Sequence, residues 1–281
     1  MRQSSSLLAL LPVIALMTGC VASVNSQNQA IQTESQSEVA AIPETYDDYA
    51  EVLETYVDDQ GLIDYAQLQA NRQQLDSFVA SFAAVTPSDF ETWTEAEQIA
   101  YWVNAYNAIT LQSIVNQEPL KGSIKDILGV WRITTHSVLD QSKTLDDIEH
   151  NTLRANHNEP RIHAALVCAA ISCPPLRAEP FRGDDLDAQL EDQSQKFIDS
   201  PMGLQIDRDN NQVMLSMIFN WFGQDWIPTY GVDEGFTGND AERAVLNFIT
   251  NYVSEEDAAY LREGNYEVKY LDYDWALNIQ S

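Results

Sequence analysis

Basic residues are scarce in this 281-residue chain: 15 lysines and arginines stand against 43 aspartates and glutamates. The formal net charge of −28 disfavours nucleic acid and bare anionic lipid as partners. The acids are spread along the chain, as in "PETYDDYAEVLETYVDD" and "RGDDLDAQLEDQ", and read as a solvated surface. No stretch follows the D-x-D-x-D-G pattern of a calcium loop. Gly-rich phosphate loops are absent, and no serine sits in a G-x-S-x-G elbow. Internal repeats and coiled-coil heptads are absent too. Cysteine is rare, with only Cys20, Cys168 and Cys173. Neither CxxC nor HExxH spacing occurs, so no metal and no cofactor is expected. After the first twenty residues no apolar run is long enough to span a bilayer.

What is present begins at the N-terminus. Leu7 to Met17 is an apolar run of signal-peptide length, preceded by Arg2 and ended by "MTGC". Small residues before a cysteine resemble the lipobox of bacterial lipoproteins, with Met17 standing where leucine is commoner. That resemblance implies cleavage before Cys20 and acylation of its sulfur and new amino group. Such an anchor holds a chain at a membrane without spanning it. Val21 rather than aspartate follows the cysteine, which favours the outer membrane, with the folded part in the periplasm or at the cell surface. The run up to Ile42 is rich in Ser, Gln, Asn and Ala, has no aromatic residue and reads as a flexible tether. The expected organisation is a signal peptide over 1–19, a lipidated tether over 20–42 and one globular domain over 43–281.

Within that domain, Tyr46 to Val57 is amphipathic and helical, and a second helix is expected after the turn at Gly61, through Val85. Thr94 and Glu97 form a capping-box pattern that opens a long helix. Its apolar residues run almost all the way round, with Ile99, Trp102, Val103, Tyr106, Ile109 and Ile114 in the main stripe. Asn104 and Asn107 therefore face protein and need partners. "WRITTHSVL" reads as a strand, and Thr144 with Asp147 opens a short helix. "GLQIDRDNNQVMLS" reads as a hairpin with Asp-Asn-Asn turn chemistry. An aromatic segment, "MIFNWFGQDWI", a helix over Asn239 to Val253 and a closing strand in "NYEVKYLDYDWAL" complete the chain. This predicts an α+β, helix-rich single domain around a long buried central helix, with a small antiparallel sheet.

The blocks "YWVNAYNA", "TLDDIEHNTLR", "IHAALVCAAISCPPLR", "LSMIFNWFGQDW" and "YLDYDWALN", in this order, resemble the family called domain of unknown function 547. The resemblance runs from about Tyr46 to Asn278, and the family includes bacterial lipoproteins. It implies a domain but no reaction, so the chemistry rests on the residues.

Glu149 shares an apolar helix face with Leu145 and Leu153, and His150 lies at the edge of that face. A carboxylate there requires a cationic partner, such as Arg154, Arg161 or Arg177, or a role in a site. In "IHAALVCAAISCPPLR" a helix is expected from Ile162 to about Ser172. Cys168 and Cys173 would then stand about 8.6 Å apart between Cα atoms, too far for a disulfide. A bridge requires the chain to leave the helix by about Ile171. Outside the cytoplasm, two cysteines remaining after lipidation of Cys20 favour such a bridge. The other reading makes Cys173 or Cys168 a nucleophile, with His163 or His150 as base, Glu149 as orienting group and Asn104 or Asn107 as oxyanion donors. A zinc site from His150, His163 and the two cysteines has no supporting spacing. Trp102, Tyr106, Trp221 and Trp226 are candidates for a ligand groove, although Phe219, Phe222 and Trp226 also keep core spacing. Two functions stand at this point. The first is a non-catalytic module of the cell envelope that binds a ligand or protein partner. The second is a thiol-dependent hydrolase or transferase.

Overall fold

The computed structural model describes residues 46–280. The expected signal peptide, Cys20 and the tether lie outside the described residues. Helices α1 (Tyr46–Tyr56), α2 (Tyr65–Ala70) and α3 (Gln73–Ser81) open the fold, followed by the single turn α4 (Pro87–Phe90). The helix expected through Val85 is thus two helices. Asn71 leaves helical geometry at φ −129° and donates its side-chain amide to the Gln67 carbonyl, which closes α2.

The central helix α5 (Glu95–Val115) forms as its capping box requires. Thr94 accepts from the Glu97 backbone, and the Glu97 carboxylate accepts from the Thr94 backbone at 2.7 Å. From Ile99 onward every residue except Gln112 is buried. A helix apolar on all sides has to be covered on all sides. Helices α2 and α3 cover one flank, continued by an aromatic run in which Phe82 sits between Phe78 and Tyr101.

Strands β1 (His136–Val138) and β2 (Gln141–Lys143) form a small antiparallel ribbon, turned by Leu139 and Asp140 at positive φ. The strand expected over "WRITTHSVL" keeps only its end. The Gly129 carbonyl accepts from Arg132, Ile133 and Thr134, which winds its first part into a turn. Helix α6 (Leu145–Ile148) follows, again with a capping box, then a π-helical turn over Glu149–Leu153 and a last helical turn α7 (Arg154–Asn156). The short helix expected there forms with one wider turn, and the Thr152 hydroxyl donates to the carbonyl of Asp147, five residues back. Such bulges are frequent at functional sites.

Helix α8 (Ile162–Ala165) is much shorter than expected. At Leu166 the chain turns extended, with ψ 120°. The cause is Asn107, whose side-chain oxygen accepts from Val167 N while its amide donates to Ala165 O, both at 2.9 Å. A buried side chain has taken over the hydrogen bonds that would have continued the helix. Helix α9 (Leu186–Asp199) then leads into β3 (Leu204–Asp207) and β4 (Gln212–Leu215), the expected hairpin. Four helices follow: α10 (Met217–Phe222), α11 (Ile227–Tyr230), α12 (Asp240–Ile249) and α13 (Glu255–Glu263). The closing strand β5 (Glu267–Tyr270) pairs with β4 in parallel, so this sheet is mixed rather than antiparallel. The four intervening helices supply the crossover that parallel pairing needs.

Two apolar cores result. One surrounds α5, and the other lies among β3, β4, α10 and α12. Tyr273 packs against both. Among the described residues no helix is long and apolar enough to cross a membrane. The fold is helix-rich α+β, built on a long buried helix.

Candidate functional site

Because α8 ends early, Cys168 and Cys173 lie on a loop. Their Cα atoms are 6.2 Å apart, and the two sulfurs form a disulfide. Ala169, inside this loop, takes φ 61°. The C-terminal segment clips the loop in place. Ile171 donates to Ala276 O, Ser172 donates to Asp274 O, and Asp274 N returns a bond to the Ser172 hydroxyl at 2.8 Å. The Tyr273 hydroxyl lies 3.2 and 3.1 Å from the two sulfurs. Disulfide sulfurs carry no hydrogen, so the phenol donates. Burial pushes Tyr273 up, and the Glu149 charge adds to this, so its proton is retained.

The disulfide lies against a cavity of about 190 Å³. Tyr106 from α5, the π turn with Glu149 and His150, and Leu166 form one wall. Ile218, Trp221 and Phe222 from α10, with Tyr273 and Trp275 from the C-terminal segment, form the other. Trp131 and Asp146 complete the rim. The aromatic side chains support one another: Trp221 stacks on Trp275 at 5.9 Å, and Trp131 meets Trp275 edge-on at 6.0 Å. Trp221 is 42% exposed and therefore stands at the mouth.

A charged clamp ties the two walls together. Asp225, in the 3-10 turn Gly223–Trp226, accepts two bonds from Arg154, at 2.6 and 3.0 Å, and one from His163 Nε2 at 2.8 Å. Burial pushes the Asp225 carboxyl up. The bonds from His163 and Arg154 outweigh it and hold the group well below the usual carboxylate range. An ionised carboxylate only accepts, so His163 carries its proton on Nε2. The His163 ring stacks on Phe222 at 4.4 Å. Arg154 also reaches His150 Nδ1 at 3.1 Å. A guanidinium only donates, so Nδ1 accepts, and the ring proton sits on Nε2, which faces Asp146 Oδ1 at 3.9 Å.

Glu149 is treated differently. Its side chain is 12% exposed and lies 3.8 Å from His150 Nδ1. Burial pushes the Tyr106 hydroxyl well up, and the Glu149 charge pushes it further. None of the three arginines considered as partners pairs with Glu149. Arg154 holds Asp225, Arg161 holds Glu159 and Asp187, and Arg177 holds Glu179 and Asp192.

The structure brings Glu149, His150, His163, both cysteines, Tyr106 and Trp221 together at the cavity. It keeps the others apart. Asn104 bonds the backbone of Phe181 in both directions, as Asn107 does the α8 loop, so both amides hold chain segments in place. Trp102 is buried in the α5 core, and Trp226 is buried in the second core behind His163. Sequence reasoning missed Trp131, Asp146, Asp225, Tyr273 and Trp275. One signal was present: Tyr273 and Trp275 in "YLDYDW" are two apart, a spacing that puts both on one side of an extended chain. Among the described residues no group of three or more His, Cys, Asp or Glu side chains is placed to hold a metal ion.

No curated protein and no solved structure matches the chain. The part that carries Tyr106, the π turn, His163 and the disulfide does match a family. Residues 90–198 fit the family described as Protein of unknown function, DUF547, which makes this stretch similar to that domain.

Proposed function

We propose that this is a lipid-anchored protein of the bacterial cell envelope whose folded domain is a non-catalytic binding module for a small ligand. The single observation that carries the binding reading is the aromatic cavity of about 190 Å³ beside the disulfide. Its size lies below the roughly 300–1,000 Å³ of sites for drug-sized molecules, so the ligand is small. The thiol mechanism lacks its nucleophile, since both sulfurs are in one bond. A disulfide also suits an oxidising compartment, in keeping with a periplasmic or surface-exposed domain. The anchor is the acylated Cys20, holding the domain to the outer membrane through the tether. The acidic surface continues to argue against nucleic acid.

The binding reading is tested on the purified full chain by equilibrium dialysis against a panel of small amines, acids, sugars and neutral alcohols. Saturable binding of at least one class is expected, with loss in Ile218→Trp, which fills the cavity. Thiol titration of the folded protein is expected to find neither Cys168 nor Cys173 reactive. A reactive thiol together with an empty binding panel overturns the reading. For the anchor, acyl labelling of this protein in whole cells is expected to disappear in Cys20→Ala.

A further inference from the structure

Glu149 poses a question that its surroundings answer. It is a carboxylate, almost buried, with no lysine or arginine within 4.0 Å among the described residues. Arg154 feels the Glu149 charge, but its guanidinium is committed to Asp225 on two bonds. His150 offers Glu149 no donor, because its Nδ1 accepts from Arg154. The Tyr106 and Tyr273 hydroxyls lie within reach of its charge. A buried carboxylate in this condition is costly. It lines a cavity whose largest side chains are aromatic, among them Trp131, Trp221, Phe222, Tyr273 and Trp275.

Aromatic faces and a carboxylate share one preference, positive charge, and aromatic walls are the recurring solution for quaternary ammonium groups. Trp275 already takes part in one cation–π contact within the chain, with Lys125 Nζ 4.9 Å from the centre of its ring. A second carboxylate, Asp146, stands at the rim, paired with the mostly exposed Arg132. An anion would meet both carboxylates, and a neutral ligand would leave Glu149 as it is.

We infer that the cavity binds a small organic cation, a methylated ammonium or short amine, held by Glu149 and the aromatic walls of Trp221, Tyr273 and Trp275. This rests on the binding reading above and names the ligand class for that same site.

The test compares choline with its neutral isostere 3,3-dimethylbutan-1-ol, by calorimetric titration of the full chain. Choline is expected to bind at least about tenfold more tightly than the isostere. In Glu149→Gln that ratio should collapse towards one, with thermal unfolding reporting that the variant is folded. Trp275→Leu should weaken choline while Trp275→Phe keeps most of the affinity. If the isostere binds as tightly as choline, or the ratio survives Glu149→Gln, the cation assignment fails while the cavity remains a binding site. If neither compound binds, the cation assignment fails, and if the wider panel is also empty the binding reading fails with it. Glycerophosphocholine separates the sources of such a cation. Weaker binding than choline is expected, because Asp146 and Glu149 repel the phosphate. Tighter binding would overturn the free-cation assignment in favour of a lipid headgroup.

Discussion

The two walls of the cavity are built on different principles. The wall from α5, the π turn and the disulfide loop is fixed by backbone hydrogen bonds to buried amides and by a covalent bond. The wall from α10 and the C-terminal segment is fixed by aromatic packing and a few hydrogen bonds across the seam. The first wall is tied through its backbone and the second through its side chains. Asp225 is the joint, reaching from the second wall to His163 and Arg154 on the first.

Substitutions can break this contrast in order of size. Asn107→Ala strikes the first wall at its base, leaving Val167 N and Ala165 O buried without partners. Denaturant unfolding should show a loss of about 3 kcal/mol. A loss under about 1 kcal/mol would mean the loop is held mainly by the C-terminal clip. Cys168→Ser with Cys173→Ser removes the covalent part. For so short a loop the expected cost is about 2 kcal/mol, read as a lowered midpoint that matches wild type under reducing conditions.

Asp225→Asn loosens the joint. Its effect should be about 1 kcal/mol, since solvent reaches a quarter of the pair. The same contribution is pH-dependent. The folded pKa is depressed below the ordinary 3.8, so the stabilisation is complete above about pH 4 and is lost as pH falls towards the folded value. Asp225→Asn should therefore flatten the acid limb of the stability profile; an unchanged limb would assign it to other carboxylates. Tyr273→Phe makes the smallest change, below about 1 kcal/mol, because sulfur is a weak acceptor. Near-ultraviolet dichroism should shift even so, as the phenol touches both sulfurs and its ring packs on Trp221 and Trp275.

The same contrast explains what was legible beforehand. The first wall lies in elements whose signals are local. Thr94 and Thr144 cap α5 and α6 as their spacing predicts. Glu149 falls on the apolar side of its segment, and the cysteines are near one another in sequence. Two local expectations still gave way to distant partners. The helix from Ile162 stops because Asn107 takes its hydrogen bonds, and the strand at Trp131 winds up around the Gly129 carbonyl. The second wall was mostly hidden, since Cys173 and Tyr273 are 100 residues apart and no short-range pattern couples them.

By itself, the sequence determined the acidic surface, the α+β class, the buried central helix, the hairpin turn and the neighbourhood of Glu149, His150 and the cysteines. Each follows from composition or from periodicities of two to four residues, which act wherever the chain goes. Tertiary structure alone decided that the cysteines bridge, that Arg154 serves Asp225 instead of Glu149, and that Tyr273 and Trp275 close a cavity. Those outcomes depend on which of several chemically similar partners the fold brings within reach. Only the packing of the two cores against each other sets that distance.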